Sequence, residues 1–268
     1  MKKYSVVFAT DKNYIQHLAV ALASLLENNK SMKFIVYIIS EESQIDENNF
    51  KKLKLITEKY DAEINQILIK NEIFDKMITG YHFTKATYYR FMIPDFIEDD
   101  KVLYLDCDLA VNGSIEELFN LEFGDNYIAA VCDPYADITR NKSLHMNPDT
   151  EHFNGGVILL NNKLWKRDNI SEKAIEFINK NPDIIKFPDQ DGLNSVINGK
   201  WLKLPMAYNV LPFIFRKYFF RKNQCKCSLQ DILEAKNNPI IMHYATGLNL
   251  RAFVIPIHIN IYTGNISK

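Results

Sequence analysis

Apolar positions in the first half of the chain switch between two spacings. Tyr4–Ala9 is a short, mostly apolar run, which predicts a strand buried on both faces. Ile15, Leu18, Ala19, Leu22, Leu25 and Leu26 then recur three and four residues apart until Asn28-Asn29, which predicts an amphipathic helix with a polar stop. The cycle repeats. Phe34–Ile39 reads as a second strand, Asp46–Tyr60 as a charged helix with Phe50, Leu53 and Ile56 on its apolar stripe, and Ile64–Ile69 as a third strand. A helical segment within Tyr81–Phe96 is expected to stop near Pro94, and Lys101–Asp106 follows as a fourth strand. Alternating strands and helices predict parallel pairing through right-handed crossovers, an α/β fold with a nucleotide-binding half-sheet.

Beyond Asp108 the alternation is less regular. Ser114, with Glu117 three residues later, predicts a short capped helix. Tyr127–Cys132 and Val157–Leu160 read as strands, Ile170–Asn181 and Gln190–Asn198 as helices. The polar stretch Ala136–Glu151, with Pro148, is expected to be a surface loop or a mobile lid. No repeat or linker divides the sequence, so one domain is expected.

Composition adds little to this except in how charge is distributed. The 268 residues are 47% hydrophobic and 24% charged, enough apolar material for a sizeable core. A net charge of −1 gives no case for nucleic-acid binding. From Phe213 to Lys268, however, eight Lys/Arg face two Asp/Glu, whereas the preceding part carries 24 basic and 31 acidic residues. A basic end on an acidic body suits an anionic partner or a membrane surface, or is a solvated surface of uneven charge. Cys107, Cys132, Cys225 and Cys227 are too few for a disulfide framework and read as free thiols. The N-terminus has only a three-residue apolar run, Val6-Val7-Phe8, and no stretch has the length of a membrane span. A cytoplasmic location is therefore expected.

Lys101–Asp108 is the most informative stretch. Its apolar run Val102–Leu105 ends in Asp106 and Asp108, one residue apart. Residues two apart on an extended chain point the same way, so both carboxylates can reach one hard cation at the carboxyl edge of a sheet. Such a cation leaves positions open for phosphate oxygens, which suggests a nucleoside-diphosphate substrate. At the end of the first strand, Ala9-Thr10-Asp11-Lys12-Asn13-Tyr14 lacks the glycines of a dinucleotide or P-loop site. It offers instead an acid for a uracil N–H, an amide and a stacking ring, although Asp11 or Asn13 also serves as a helix cap. His152-Phe153-Asn154-Gly155-Gly156-Val157 pairs a sugar-binding amide with glycines that permit close approach, or marks a bulge. Phe187–Asn194 places Asp189 and Gln190 at a helix mouth, with Asp189 a natural cap. Ile240–Tyr244 reads as a strand ending in His243. That histidine completes a ligand set if the chain folds back beside Asp106 and Asp108, and two carboxylates with an imidazole suit Mn²⁺ better than Mg²⁺.

In this order around Asp-x-Asp, these segments resemble glycosyltransferase family 8, the group of glycogenin and the bacterial lipopolysaccharide galactosyl- and glucosyltransferases. The resemblance runs from about Tyr4 to Tyr244. It implies a GT-A-type α/β domain with a mainly parallel central sheet flanked by helices, over residues 1–250, followed by a tail at 251–268. It implies a retaining hexosyltransferase that uses UDP-galactose or UDP-glucose and Mn²⁺, with Mg²⁺ as a substitute. The acceptor would be a glycan, lipid-linked or not, in cell-surface polysaccharide synthesis. By the same similarity Asp11, Asn13 and Tyr14 bind the uridine, Ala9 is among the substrate-binding residues, and Arg90 faces sugar and diphosphate. Asp106, Asp108 and His243 hold the metal, while Asn154, Asp189 and Gln190 contact the hexose, with Gln190 or Asp189 stabilising its cationic transition state. The attack would be a front-side displacement. A catalytically weak UDP-sugar-binding protein and a sugar nucleotidyltransferase are the alternatives.

The family pattern changes after His243. Gly247 stands one residue late, and Arg251-Ala252-Phe253 takes the place of Lys-Pro-Trp, with Arg251 expected on the diphosphate. Residues 213–222 mix five aromatics with four cations, a composition suited to an anionic bilayer surface. Peripheral contact with the inner face of the membrane is one expectation. The other is that Phe213, Phe215 and Phe219 pack under the sheet.

Overall fold

The computed structural model describes residues 2–70, 72, 74, 75, 77–79, 84–215 and 226–245. Gly247, Arg251, the tail at 251–268, Cys225 and residues 216–222 of the aromatic-cationic stretch lie outside that description.

The expected alternation is present as β1 (Lys3–Ala9), α1 (Ile15–Glu27), β2 (Lys33–Glu41), α2 (Glu47–Lys59) and β3 (Glu63–Ile69). Asp46 caps α2 by accepting the Asn49 N–H at 2.7 Å. A 3₁₀ helix, Lys85–Met92, runs into α3 (Ile93–Phe96), then come β4 (Lys101–Leu105), β5 (Leu109–Val111) and α4 (Glu116–Asn120). The remainder is β6 (Ile128–Cys132), β7 (Phe153–Asn161), α5 (Asn162–Arg167), α6 (Ile170–Lys180), α7 (Pro188–Ile197), β8 (Trp201–Lys203), α8 (Leu229–Asn237) and β9 (Ile241–His243).

Seven strands form one sheet in the order β3-β2-β1-β4-β7-β6-β8, and β5 pairs with β9 in a small ribbon. β3, β2, β1 and β4 are parallel; β7 is antiparallel to both β4 and β6, and β8 is parallel to β6. The chain moves outward from β1 to β3 and returns to β4 on the other side of β1. The carboxyl ends of β1 and β4 therefore flank a topological switch point, where open α/β sheets leave a crevice.

Strand alternation divides the core between the two faces. Val6 and Phe8 pack with Leu18, Leu22 and Leu25 of α1, whereas Val7 and Ala9 face Tyr88, Tyr89 and Phe91. Each fully buried Leu of α1 contributes about 1.5–3 kcal/mol of transfer free energy. The edge strand β3 keeps exposed positions in alternation, in contrast to the fully buried β6.

Several local expectations are corrected. Pro94 lies in the first turn of α3 rather than stopping a helix, because a proline there lacks only an N–H that has no helical partner. β7 begins at Phe153, so Asn154, Gly155 and Gly156 belong to the strand itself, with a register shift against β6 between Ala130 and Cys132. Asp189 does not cap α7. The cap position is Phe187, without a side-chain cap bond; Asp191, inside the helix, reaches back so that its Oδ2 accepts the N–H groups of Lys186 and Phe187 at 2.7 and 3.0 Å. Ser114 sits one residue before the cap position of α4, its hydroxyl accepting the Glu116 N–H at 3.3 Å. Cys132 is disulfide-bonded rather than a free thiol.

The stretch expected as a lid is tied down. Asn141 is buried and donates to the carbonyls of Asn147, Pro148 and Thr150 at 2.9–3.0 Å. Leu144 is fully buried, and Arg140 forms a bidentate pair with Asp191 at 2.7 and 3.2 Å.

Candidate active site

A cavity of about 590 Å³ opens at the switch point, within the usual range for small-molecule sites. Its walls come from the ends of β1 and β4, the 3₁₀ helix, the start of β7 and the first turn of α7. Ala9, Asp11, Tyr14, Arg90, Asp106, Asp108, Asn154, Asp189, Gln190 and His243 all line it. Asn13 is exposed and is not among the lining residues.

Asp106 and Asp108 leave the end of β4 while His243 arrives on β9, whose ladder pairs His243 with Leu109. The Tyr244 N–H donates to the Asp108 carbonyl at 2.8 Å and fixes the approach. One ligand atom from each of the three side chains lies within 4.8 Å of the other two. His243 Nε2 is 3.2 Å from Asp108 Oδ1 and 3.6 Å from Asp106 Oδ2. That nitrogen is buried and makes no hydrogen bond among the described residues, whereas Nδ1 meets Asn209 Oδ1 at 2.9 Å. Burial alone would raise the Asp108 pKa and lower that of His243. Their mutual attraction reverses both, so Asp108 lies below and His243 above its ordinary value.

Arg90 organises the middle of the cavity. It is buried and pairs with Asp106 Oδ1 and Asp189 Oδ2, both at 2.9 Å, while donating to the Gly155 carbonyl at 2.6 Å. Its guanidinium stacks 4.2 Å from the ring centre of Tyr104, whose hydroxyl donates to Asp106 Oδ1 at 2.7 Å. Burial raises the Tyr104 phenol well above its usual range, which keeps it a donor. Burial also raises Asp189, and Arg90 opposes the rise. Thr87 completes the Asp189 shell with a 2.7 Å bond.

Asp11 is buried, and its Oδ1 accepts the Asn13 N–H at 2.8 Å. It therefore shapes the turn after β1, and its remaining lone pairs stay available. Tyr14 is partly exposed at the rim. The summed charge is the decisive feature of the lining: five carboxylates, Asp11, Asp106, Asp108, Asp133 and Asp189, face Arg90 and His243 among the described residues. An anionic ligand would meet net negative charge from these residues, which an added cation would offset.

The family profile "Glycosyl transferase family 8" matches residues 5–248. The chain belongs to this family. Among relatives of this family 8 glycosyltransferase, general stress protein A of Bacillus subtilis is 30% identical over 248 residues, covering 90% of this chain and 85% of that protein. Lipopolysaccharide 1,3-galactosyltransferase of Salmonella typhimurium is 33% identical over 207 residues, covering 74% of this chain but 60% of its own length. Other relatives are longer still, and the chain spans 32% of glycosyltransferase GlyA of Streptococcus pneumoniae serotype 4. The crystal structure of galactosyltransferase LgtC with donor and acceptor sugar analogs superposes with a TM-score of 0.80 at 26% identity, covering 91% of this chain and 87% of LgtC. An active-site glutamine-to-glutamate mutant of LgtC gives 0.79.

The fold of this glycosyltransferase thus brings together the three expected ligand residues, Arg90, Asn154, Asp189 and Gln190 at one cavity, and leaves Asn13 outside it. Two polar residues near the site had not been anticipated. Asp133 follows β6 as Asp106 follows β4, at the same edge of the sheet, and the acid after an apolar strand was a readable signal. Asn209 lies between Tyr208 and Val210 with no pattern to mark it. Among the described residues, no helix is long and apolar enough to cross a membrane.

Proposed function

We propose that this glycosyltransferase moves a hexose, galactose or glucose, from a UDP-sugar to a glycan acceptor with retention of configuration, using a divalent cation held by Asp106, Asp108 and His243. The observation that carries this reading is His243 Nε2, buried between two carboxylates without a hydrogen bond among the described residues. Two hard carboxylate donors and one borderline imidazole fit Mn²⁺ better than Mg²⁺. Such a cation, when bound, would neutralise charge on the departing diphosphate.

The chain's own residues have separate tasks in this reading. Asp11 accepts the uracil N–H, and the Tyr14 ring lies against the base. Arg90 holds Asp106 and Asp189 in fixed orientations. Asn154 and Asp189 bind sugar hydroxyls, and Asp189 with Gln190 supplies negative potential beside the anomeric carbon as it becomes cationic. Gln190 is the sole glutamine among the described lining residues, and LgtC has an active-site glutamine whose change to glutamate was studied structurally. The acceptor hydroxyl would enter from the same face as the leaving group, with the diphosphate helping to take its proton. Gly247 and Arg251 are proposed to contact the diphosphate. The basic C-terminal part would bring the enzyme to the inner membrane face when the acceptor is lipid-linked.

The test measures UDP released from UDP-galactose and UDP-glucose with EDTA, then with Mn²⁺, Mg²⁺ or Ca²⁺ restored. Transfer should stop in EDTA and return best with Mn²⁺, and Asp108→Asn should weaken both UDP binding and turnover. Full activity in EDTA would end the metal-dependent reading.

A further inference from the structure

Five polar side chains connect the metal-ligand end of the cavity with its sugar-facing end, and their hydrogen bonds permit a single polarity. The Gly155 N–H can only donate, so the atom it meets at 2.9 Å is Gln190 Oε1, which leaves Gln190 Nε2 to donate to Asp133 Oδ2 at 2.8 Å. The Gly156 N–H likewise fixes Asn154 Oδ1 as its acceptor at 3.0 Å and turns Asn154 Nδ2 toward Asp133 Oδ2 at 3.4 Å. Because Asn154 Oδ1 accepts, Asn209 must present its Nδ2 there, at 2.8 Å, and its Oδ1 to His243 Nδ1 at 2.9 Å. An amide oxygen has no proton to give. His243 Nδ1 therefore carries hydrogen, and Nε2 is the nitrogen left facing Asp106 and Asp108.

From this chain of donors and acceptors we infer that Asn209 is a positioning residue of the metal site: anchored through Asn154 to the Gly156 amide, it fixes the His243 tautomer and ring orientation so that Nε2 is the ligand. The inference rests on the metal-site reading above. It assigns a role to a residue buried behind the histidine and absent from the cavity lining. The backbone at Asn209 does not depend on its side chain, since Val210 N–H donates to Ile241 at 2.8 Å and His243 N–H to Val210 at 3.0 Å. Side-chain replacement should leave the strand path intact.

Binding of Mn²⁺ to the full-length protein, read from the spin-resonance signal of free Mn²⁺, provides the test. Asn209→Leu, similar in size but without an acceptor, should weaken binding about 10- to 100-fold, as loss of a histidine's supporting partner does elsewhere. Asn209→Asp keeps an acceptor for Nδ1–H but loses the donor to Asn154 Oδ1, so its affinity should fall between those of the Leu variant and the wild type, which a merely space-filling role would not predict. In the wild-type protein loaded with diamagnetic Zn²⁺, ¹⁵N shifts should report a protonated Nδ1 and a metal-bound Nε2. The wild-type spectrum also decides the question if the Leu variant fails to fold. Wild-type affinity in a folded Leu variant, or a protonated Nε2 with metal on Nδ1, overturns the inference. If the wild-type protein binds no Mn²⁺, the metal reading itself fails.

Discussion

Gly156 is the position in this site where the smallest change should have the largest effect. A Cβ there would lie 2.1 Å from His243 Cε1 and 2.9 Å from Asp106 Oδ2, so Gly156→Ala must push the imidazole out of line. Mn²⁺ titration should show lost binding, while the denaturation midpoint falls by the equivalent of about 1–3 kcal/mol, typical of overpacking. Unchanged Mn²⁺ affinity would mean that His243 is not a ligand. Asp11 is tested by competition: UDP should displace the donor better than CDP, because uracil offers a ring N–H to a carboxylate and cytosine offers only an acceptor nitrogen there. Equal competition would leave Asp11 with its turn-forming role alone. At this scale the sequence was informative where chemistry coincides with a strand end. Asp106, Asp108, His243 and Gln190 each stand beside an apolar run or a helix start. Asn209 stands inside the apolar stretch Met206–Leu211 rather than at its end, and its importance depends on a partner 34 positions away, His243.

Between β6 and β7, the stretch 136–151 illustrates how composition misleads about mobility. Its polar residues suggested a lid, but Asn141 spends its amide on the stretch's own carbonyls and its oxygen on His152 Nε2, 2.5 Å away. His152 is buried, and burial lowers its pKa from 6.5, so the neutral ring is the one that fits. The unfolded chain therefore binds this proton more readily. The group's stabilising contribution should be full above pH 6.5 and decline as pH falls toward the folded-state value. Limited proteolysis within 136–151 should accelerate on acidification, and Asn141→Ala should produce the same sensitivity at neutral pH at a cost of about 1–3 kcal/mol. A cleavage rate that does not change between pH 7.5 and pH 5 would refute it. Element identity was legible from spacing, whereas boundaries were not: β7 starts early because Phe153 pairs with Cys132 and the Gly156 carbonyl accepts the Asp106 N–H, long-range effects that local pattern does not contain.

Over the whole molecule, the parallel half-sheet followed from the alternation of strands and helices, but the reversal at β7 did not. Strand direction depends on which neighbour a strand finds, and Phe153–Asn161 finds β4 and β6. The reversal at β7 shapes the site. It places the amino end of β7 against the carboxyl end of β4, so that Asn154, Asp189 and Gln190 share one cavity with the metal-ligand triad. On the proposed retaining reading, proton NMR of a UDP-α-hexose reaction should show an α-linked product, and a β-linkage would contradict that reading. The small β5–β9 ribbon carries a further consequence, one of timing. All seven strands of the main sheet lie before residue 204, whereas His243 comes on β9. A chain growing from its amino end can thus complete the whole sheet, with Asp106 and Asp108 already at its rim, while the third corner of the triangle has yet to be synthesised. A product terminated after β8 would carry both carboxylates but neither His243 nor the core residues Tyr208, Val210, Ile232 and Met242.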